Sequence, residues 1–287
     1  MDNTNRKSRP RPDRVPEPAE KCDWVYGPVP SRRFGLSLGI NLGETREKIC
    51  TWGCVYCQCG FGRKLSSVPD ARFPTLPEVL NETARRVAAH PGLDSITFAG
   101  NSEPTSNTAF PEIVEAVLRQ RESHPAKVPR IVNCLTNASD IDRPGVLAAL
   151  LKLDEAWVKL DCALPEMFLK LNRPERSLGG LAEHLARLKR FGAGRLRIQT
   201  LVWECPSVPH LGNWTEANRQ ALCEAYLDLI PMEVHLATIE RNPADRRLTP
   251  VPDIQLLDFA EFLRQKKVMV TVFPSRGTKR YDLTQRS

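Results

Sequence analysis

Lys48-Ile49-Cys50-Thr51-Trp52-Gly53-Cys54-Val55-Tyr56-Cys57-Gln58-Cys59 decides how this chain is read. Cys50, Cys54 and Cys57 are separated by three and then two residues, which puts three thiolates on one compact loop. Three thiolates hold three irons of a [4Fe–4S] cluster and leave the fourth without a protein ligand, whereas a closed electron-transfer cluster normally takes four cysteines. An open iron can take a substrate or cofactor, as a catalytic zinc with three protein ligands does. Zinc itself is the competing metal. A structural zinc site wants a fourth Cys or His, and His90, His124, His184, His210 and His235 all stand isolated. Cys59 remains as a fourth ligand, awkward for one tetrahedral ion because a single residue separates it from Cys57.

The rest of the composition narrows the class. The chain has 287 residues, 41% of them hydrophobic and 26% charged, which is ordinary for a globular protein with a sizeable core. No apolar run is long enough to span a membrane. The N-terminal stretch MDNTNRKSRPRPDRVPEPAE is polar and Pro-rich with no apolar h-region, so a secretory signal is not expected and a cytoplasmic location is. Nine cysteines in a reducing compartment argue for a metal site rather than a disulfide framework. Cys22, Cys134, Cys162, Cys205 and Cys223 are scattered, as small buried hydrophobes are. The net charge of +7 permits an anionic partner such as tRNA without demanding one. Residues 1–21 read as a flexible Pro-rich arm, and residues 22–287 as a single domain.

Short runs rich in Val, Ile, Leu and Thr at residues 38–42, 95–99, 130–135, 156–160, 196–202, 234–237 and 268–273 read as strands. Amphipathic stretches at 77–89, 111–121, 144–152, 178–191, 215–229 and 254–265 read as the helices between them. This alternation means parallel βαβ units. A complete eight-unit barrel takes about 250 residues, and this body supplies fewer units than that. The expectation is an α/β fold, an incomplete (β/α)6-type TIM barrel with room for a seventh strand. Ligands then bind at the C-terminal ends of the strands. Those ends carry Gly100-Asn101-Ser102-Glu103-Pro104, Thr136-Asn137, Lys159 with Asp161, Arg197 with Gln199 and Thr200, and Thr238 with Glu240 and Arg241.

Cys50, Cys54 and Cys57, with aromatic Tyr56 before the last, resemble the signature of the radical S-adenosylmethionine (SAM) enzymes. The stretch from Gly100 to Pro104 resembles that family's GGEP motif, with Asn101 and Ser102 where glycines usually stand and Glu103-Pro104 kept. Tyr26-Gly27-Pro28-Val29-Pro30-Ser31-Arg32-Arg33, Val158-Lys159-Leu160-Asp161 and Ala237-Thr238-Ile239 are similar to blocks of one subgroup, the Fe–S oxidoreductases related to wyosine-type tRNA-modifying enzymes. The resemblance implies a [4Fe–4S] cluster held by Cys50, Cys54 and Cys57, with SAM on its open iron. Its implied chemistry is reductive cleavage of SAM to a 5′-deoxyadenosyl radical that takes hydrogen from a small-molecule or nucleic-acid substrate, a nucleoside or tRNA base among them. An electron donor such as flavodoxin or ferredoxin is implied with it.

Implied roles follow residue by residue. Glu103, or the carbonyls of Gly100, Asn101 and Ser102, would accept from the SAM amine. Asn137 and Gln199 would meet the ribose or carboxylate region, and Tyr56 the adenine. Lys159, Asp161 and Cys134 are the catalytic candidates, Cys134 as a cavity thiol able to donate a hydrogen atom. Cys162 shares that last reading with Cys134. Arg32 and Arg33 would hold a phosphate or carboxylate, or close the barrel by pairing with acids. Two other functions stay open: a zinc- or cluster-bearing nucleic-acid-binding protein, and an activating enzyme that makes a glycyl radical on a partner protein.

Overall fold

The computed structural model describes residues 23–124 and 128–275, so the arm at 1–21 lies outside the described residues. Eleven strands and seven α-helices follow one another among them. They are β1 (Val25–Ser31), β2 (Gly35–Ile40), β3 (Ile49–Cys50), β4 (Arg63–Lys64), α1 (Leu76–Ala89), β5 (Ser95–Phe98), α2 (Phe110–Ser123), β6 (Ile131–Thr136), α3 (Val146–Lys152) and β7 (Glu155–Lys159). There follow α4 (Pro165–Leu171), α5 (Leu181–Lys189), β8 (Arg197–Glu204), α6 (Glu216–Leu229), β9 (Glu233–Thr238), β10 (Thr249–Pro250), α7 (Asp253–Gln265) and β11 (Val270–Phe273).

All seven expected strands form, and together with β1 they make one sheet in the order β1-β2-β5-β6-β7-β8-β9-β11, with β10 pairing β8 off this path. Every neighbouring pair from β2 to β11 is parallel, as crossover helices require. The structure differs from the sequence expectation in several ways, among them the short added strands β3, β4 and β10. β1 is an added strand, antiparallel to β2, in a stretch whose prolines hide it. α4 is an added short helix after β7. The helix expected at 178–191 begins only at Leu181, because Gly179 and Gly180 separate it from a 3-10 turn at Arg176–Leu178.

Period-two alternation decides which side of the sheet meets the helices. Leu38, Ile40, Ile96, Phe98, Val132, Cys134, Val158, Ile198, Val234, Leu236 and Val272 face one way and join the buried residues of the helices in a single core. The opposite face carries Ser37, Thr97, Asn133, Trp157, Lys159, Gln199 and His235, still buried or nearly so. Lys159, Gln199, His235 and Thr271 stand in one register row across four strands of that inner face. The sheet curls far enough for one side chain to span the gap between its edges. Arg32, in the turn between β1 and β2, pairs with Glu240 beyond β9 at 2.6 Å and donates to the carbonyl of Pro274 beyond β11. The result is an incomplete barrel with a polar lumen.

Candidate active site

The cysteine loop sits at the lumen's mouth and is shaped by its own backbone. β3 and β4 pair in parallel at its two ends. Between them the N–H of Cys57 donates to the carbonyl of Cys54 and that of Gly60 to the carbonyl of Cys57, both at 3.2 Å, so the chain winds in two tight turns. The loop is also tied to the end of α4. The Gly53 N–H donates to the carbonyls of Asn172 and Arg173, and the Val55 N–H to that of Leu171. Trp52 packs edge-on against Phe168 and His184, with centroids 5.2 and 5.0 Å away.

Lys48 enters this loop from below. It is only 6% exposed, and its Nζ donates to the carbonyl of Gly60 at 2.9 Å. The thiols of Cys57, Cys50 and Cys54 lie close enough to raise its pKa against the burial that lowers it. Burial pushes the Cys50 thiol up to about 12 and the Cys54 thiol up to about 11, with Lys48 opposing. Cys57 is shifted down, first by a hydrogen bond from the Cys59 side chain. Asn172 turns its Nδ2 toward the Cys54 sulfur at 3.9 Å.

Among the described residues, no three or more His, Cys, Asp or Glu side chains are placed to hold a single metal ion. A cubane suits the loop better, because each thiolate takes a different iron. The buried cation beside three sulfurs also offsets the negative charge such a cluster brings.

The other expected residues divide into two groups. Glu103 is buried, and its carboxylate is already occupied. Oε1 accepts from the N–H and hydroxyl of Thr105 and from the hydroxyl of Thr136, and Oε2 from the N–H of Asn137. It stitches the end of β5 to the end of β6, and burial raises its pKa to about 7 despite those donors. Oε2, with the single donor from Asn137, keeps acceptor capacity, and the carbonyls of Gly100, Asn101 and Ser102 belong to the same turn. Gly100 has no room for a side chain, since a Cβ there would come within 2.3 Å of Asn41 Oδ1. Asn137 closes a turn: its Oδ1 accepts from the N–H and hydroxyl of Ser139, and its Nδ2 donates to the Thr51 hydroxyl in the cysteine loop.

Asp161 is the hub of the second group. It is 1% exposed. Its carboxylate accepts from Lys159 Nζ at 2.9 Å, the Leu201 N–H at 2.8 Å, Asn172 Nδ2 at 2.9 Å and the Tyr56 hydroxyl at 2.5 Å. Its carbonyl accepts from Asn213 and Asn218. Tyr56 packs on Trp203 at 4.9 Å, with Lys159 over its face at 5.0 Å. Burial and the Asp161 charge hold its hydroxyl protonated as the donor. Gln199, with its amide oriented to accept, takes both terminal nitrogens of Arg33.

Cys134 must be reassigned. It lies on the helix-facing side of β6, fully buried in the apolar core, so it lines no cavity and cannot serve as a hydrogen-atom donor there. Cys162 is likewise in that core. Asn172, Asn213, Asn218, Trp203 and Lys48 went unnoticed in the sequence. Only Lys48, two residues before Cys50, carried a positional signal.

Several buried polar atoms at the mouth have no partner among the described residues: Asn101 Oδ1, Ser102 Oγ and Asn172 Oδ1. Buried polar atoms normally find one. Their grouping around the cysteine loop and the turn after β5 fits a polar ligand such as SAM beside a cluster.

Comparison with known proteins agrees. A family model described as the radical SAM superfamily matches residues 48–201. A UPF0026 protein of Synechocystis sp. is 31% identical over 229 residues, covering 78% of each chain. One of Methanocaldococcus jannaschii is 28% identical over 256 residues, covering 85% of this chain and 73% of that one. The crystal structure of a radical SAM methyltransferase from Sphaerobacter thermophilus superposes with a TM-score of 0.56 at 19% identity, over 84% of this chain and 67% of that one. With the family model spanning more than half of its length and a cysteine loop at the mouth of an incomplete barrel, this chain belongs to the radical SAM superfamily.

Proposed function

We propose that this protein is a radical SAM enzyme that uses SAM to remove a hydrogen atom from a substrate held in the barrel lumen. The observation that carries this reading is the placement of Cys50, Cys54 and Cys57 on a preformed loop beside unpartnered polar atoms at the strand ends. A [4Fe–4S] cluster held by Cys50, Cys54 and Cys57, with SAM on its open iron, would supply one-electron reductive cleavage of the sulfonium C–S bond, the electron coming from an external reductant.

The chain's own residues prepare that chemistry. The thiolates of Cys50, Cys54 and Cys57 hold three irons. Lys48 offsets their charge. The carbonyls of Gly100, Asn101 and Ser102 orient the methionine amine, in a turn that the missing side chain of Gly100 lets pack against Asn41. Asp161 fixes Tyr56 and Lys159, which wall the mouth and keep water from the reacting carbon. The electron comes from a small reductant protein of the flavodoxin or ferredoxin kind, delivered to the exposed side of the cysteine loop.

The test is anaerobic reconstitution with iron and sulfide, followed by SAM and dithionite, with 5′-deoxyadenosine measured by chromatography. A preparation holding about four irons per chain should release it. The same preparation releasing none overturns the reading.

A further inference from the structure

Three arginines converge where the sheet curls round, and among the described residues only one of them, Arg32, has an ion-paired carboxylate. Arg32 is held by Glu240 and by the Pro274 carbonyl, with Asp253 adding a weaker attraction. Asp253 in turn accepts from the N–H and hydroxyl of Ser275. Arg33 turns inward to the lumen, where it meets the neutral amide of Gln199. No carboxylate among the described residues lies within ion-pair distance of it. The charges nearest Arg33 are Arg32 and Arg241, both repulsive, and Glu240, which Arg32 already engages. Burial and those two neighbours lower its pKa to about 10. Arg241 follows β9 and donates weakly, at 3.4 Å, to Oε1 of Gln58, the residue after Cys57. The group therefore stands against the cysteine loop.

A half-buried guanidinium packed over the Phe34 ring, with no counter-charge in reach among the described residues, is unfavourable in part. It becomes favourable when a ligand brings the missing charge. Guanidinium forks match the paired oxygens of carboxylates and phosphates, and charge-assisted bonds of that kind are the strong ones. Gln199 uses two of Arg33's five N–H donors and fixes the plane of the fork, leaving the others for a ligand. An ammonium or neutral substrate would meet repulsion or nothing at this place.

We propose that Arg33 and Arg241, within the positive field completed by Arg32, form an oxyanion-binding site at the barrel mouth, and that the substrate carries a phosphate or carboxylate group which this site holds. The inference rests on the proposed function for the word substrate, but the site itself is testable without turnover.

The experiment is calorimetric titration of the reconstituted protein with inorganic phosphate and, separately, with acetate, in the presence of saturating SAM. Wild type should bind one of them saturably, and Arg33→Met should weaken that binding about tenfold or more. Arg241→Met, at an exposed position that leaves the fold intact, should weaken it less. Arg33→Lys, which keeps charge but loses the planar fork, should fall between. Tighter binding of phosphate identifies a phosphorylated substrate, and tighter binding of acetate a carboxylate. No binding of either anion by wild type, or equal binding by wild type, Arg33→Met and Arg241→Met, overturns the site. So does anion binding that appears only when SAM is left out, since the arginines would then serve SAM's own carboxylate. Cluster absorbance and SAM binding on the same samples report the proposed function separately.

Discussion

Asn133 and Cys134 are neighbours on β6, and both are 0% exposed, yet they live in different media. Cys134 belongs to the apolar core with Val132, Phe98 and the buried faces of the helices. Asn133 sits on the lumen face between Thr97 and Glu155, and neither atom of its amide has a partner among the described residues. The same contrast repeats along each strand. The outer face packs the helices and stabilises the fold. The inner face keeps polar groups buried at a cost in stability, which is what a reaction chamber requires and a structural core avoids.

That division can be broken most sharply at the cysteine loop. Cys54→Ala should eliminate the cluster, seen as loss of bound iron and of the brown absorbance. Its thermal unfolding as apoprotein should stay within about 1 kcal/mol of wild-type apoprotein. Large destabilisation would mean that the loop is part of the structural core after all.

On the helix side the effect should be thermodynamic. Phe98→Ala removes a fully buried ring packed edge-on against Phe110 and should cost about 4 kcal/mol in denaturant unfolding, without altering which ligands bind.

An acid titration tests the join between loop and scaffold. His184 is buried between Trp52 and Phe168 and donates its Nε2–H to the Lys159 carbonyl. Burial holds its pKa at about 4, against 6.5 for a free histidine. A depressed histidine contributes stability above pH 6.5 that is lost as pH falls toward 4. Glu103, raised to about 7, works in the opposite direction over much of that window. The clean measurement is therefore a difference. His184→Gln keeps the donor and removes the charge, so its stability relative to wild type should improve by about 3 kcal/mol between pH 7 and pH 4. A flat difference would place His184 in a wetter setting than its burial indicates.

The smallest effect lies in the lumen. Asn133→Leu replaces an unpartnered buried amide by an apolar group of similar size and should gain about 1 kcal/mol. A loss of similar size would show that the inner face is packed as selectively as the outer one.

Much of this was legible in the amino-acid order. The strands announced themselves because their outer faces are runs of Val, Ile, Leu and Phe at alternate positions, and the three cysteines declared their chemistry by spacing. β1 was hidden because Pro28 and Pro30 argue locally against a strand, and only pairing with β2 overrides them. Glu103 was noticed for its motif, but that it joins two strand ends depends on Thr136 and Asn137, more than thirty residues away. The Asp161 hub draws Tyr56, Asn172 and Leu201 from three separate segments. An asparagine's partners are set by the tertiary fold, so nothing in its neighbourhood along the chain foretold Asn172, Asn213 or Asn218. Cys134 was misjudged for the same reason: one step along a strand reverses the face a side chain occupies.

The attachment of the cysteine loop to α4 has a bearing on how the three cysteines are placed. Leu171, Asn172 and Arg173 hold the loop through main-chain bonds, and Trp52 is wedged against Phe168 and His184. The course of the loop is thus fixed by the same scaffold that closes α4, so a substitution at Phe168 or Asn172 should displace the three cysteines together.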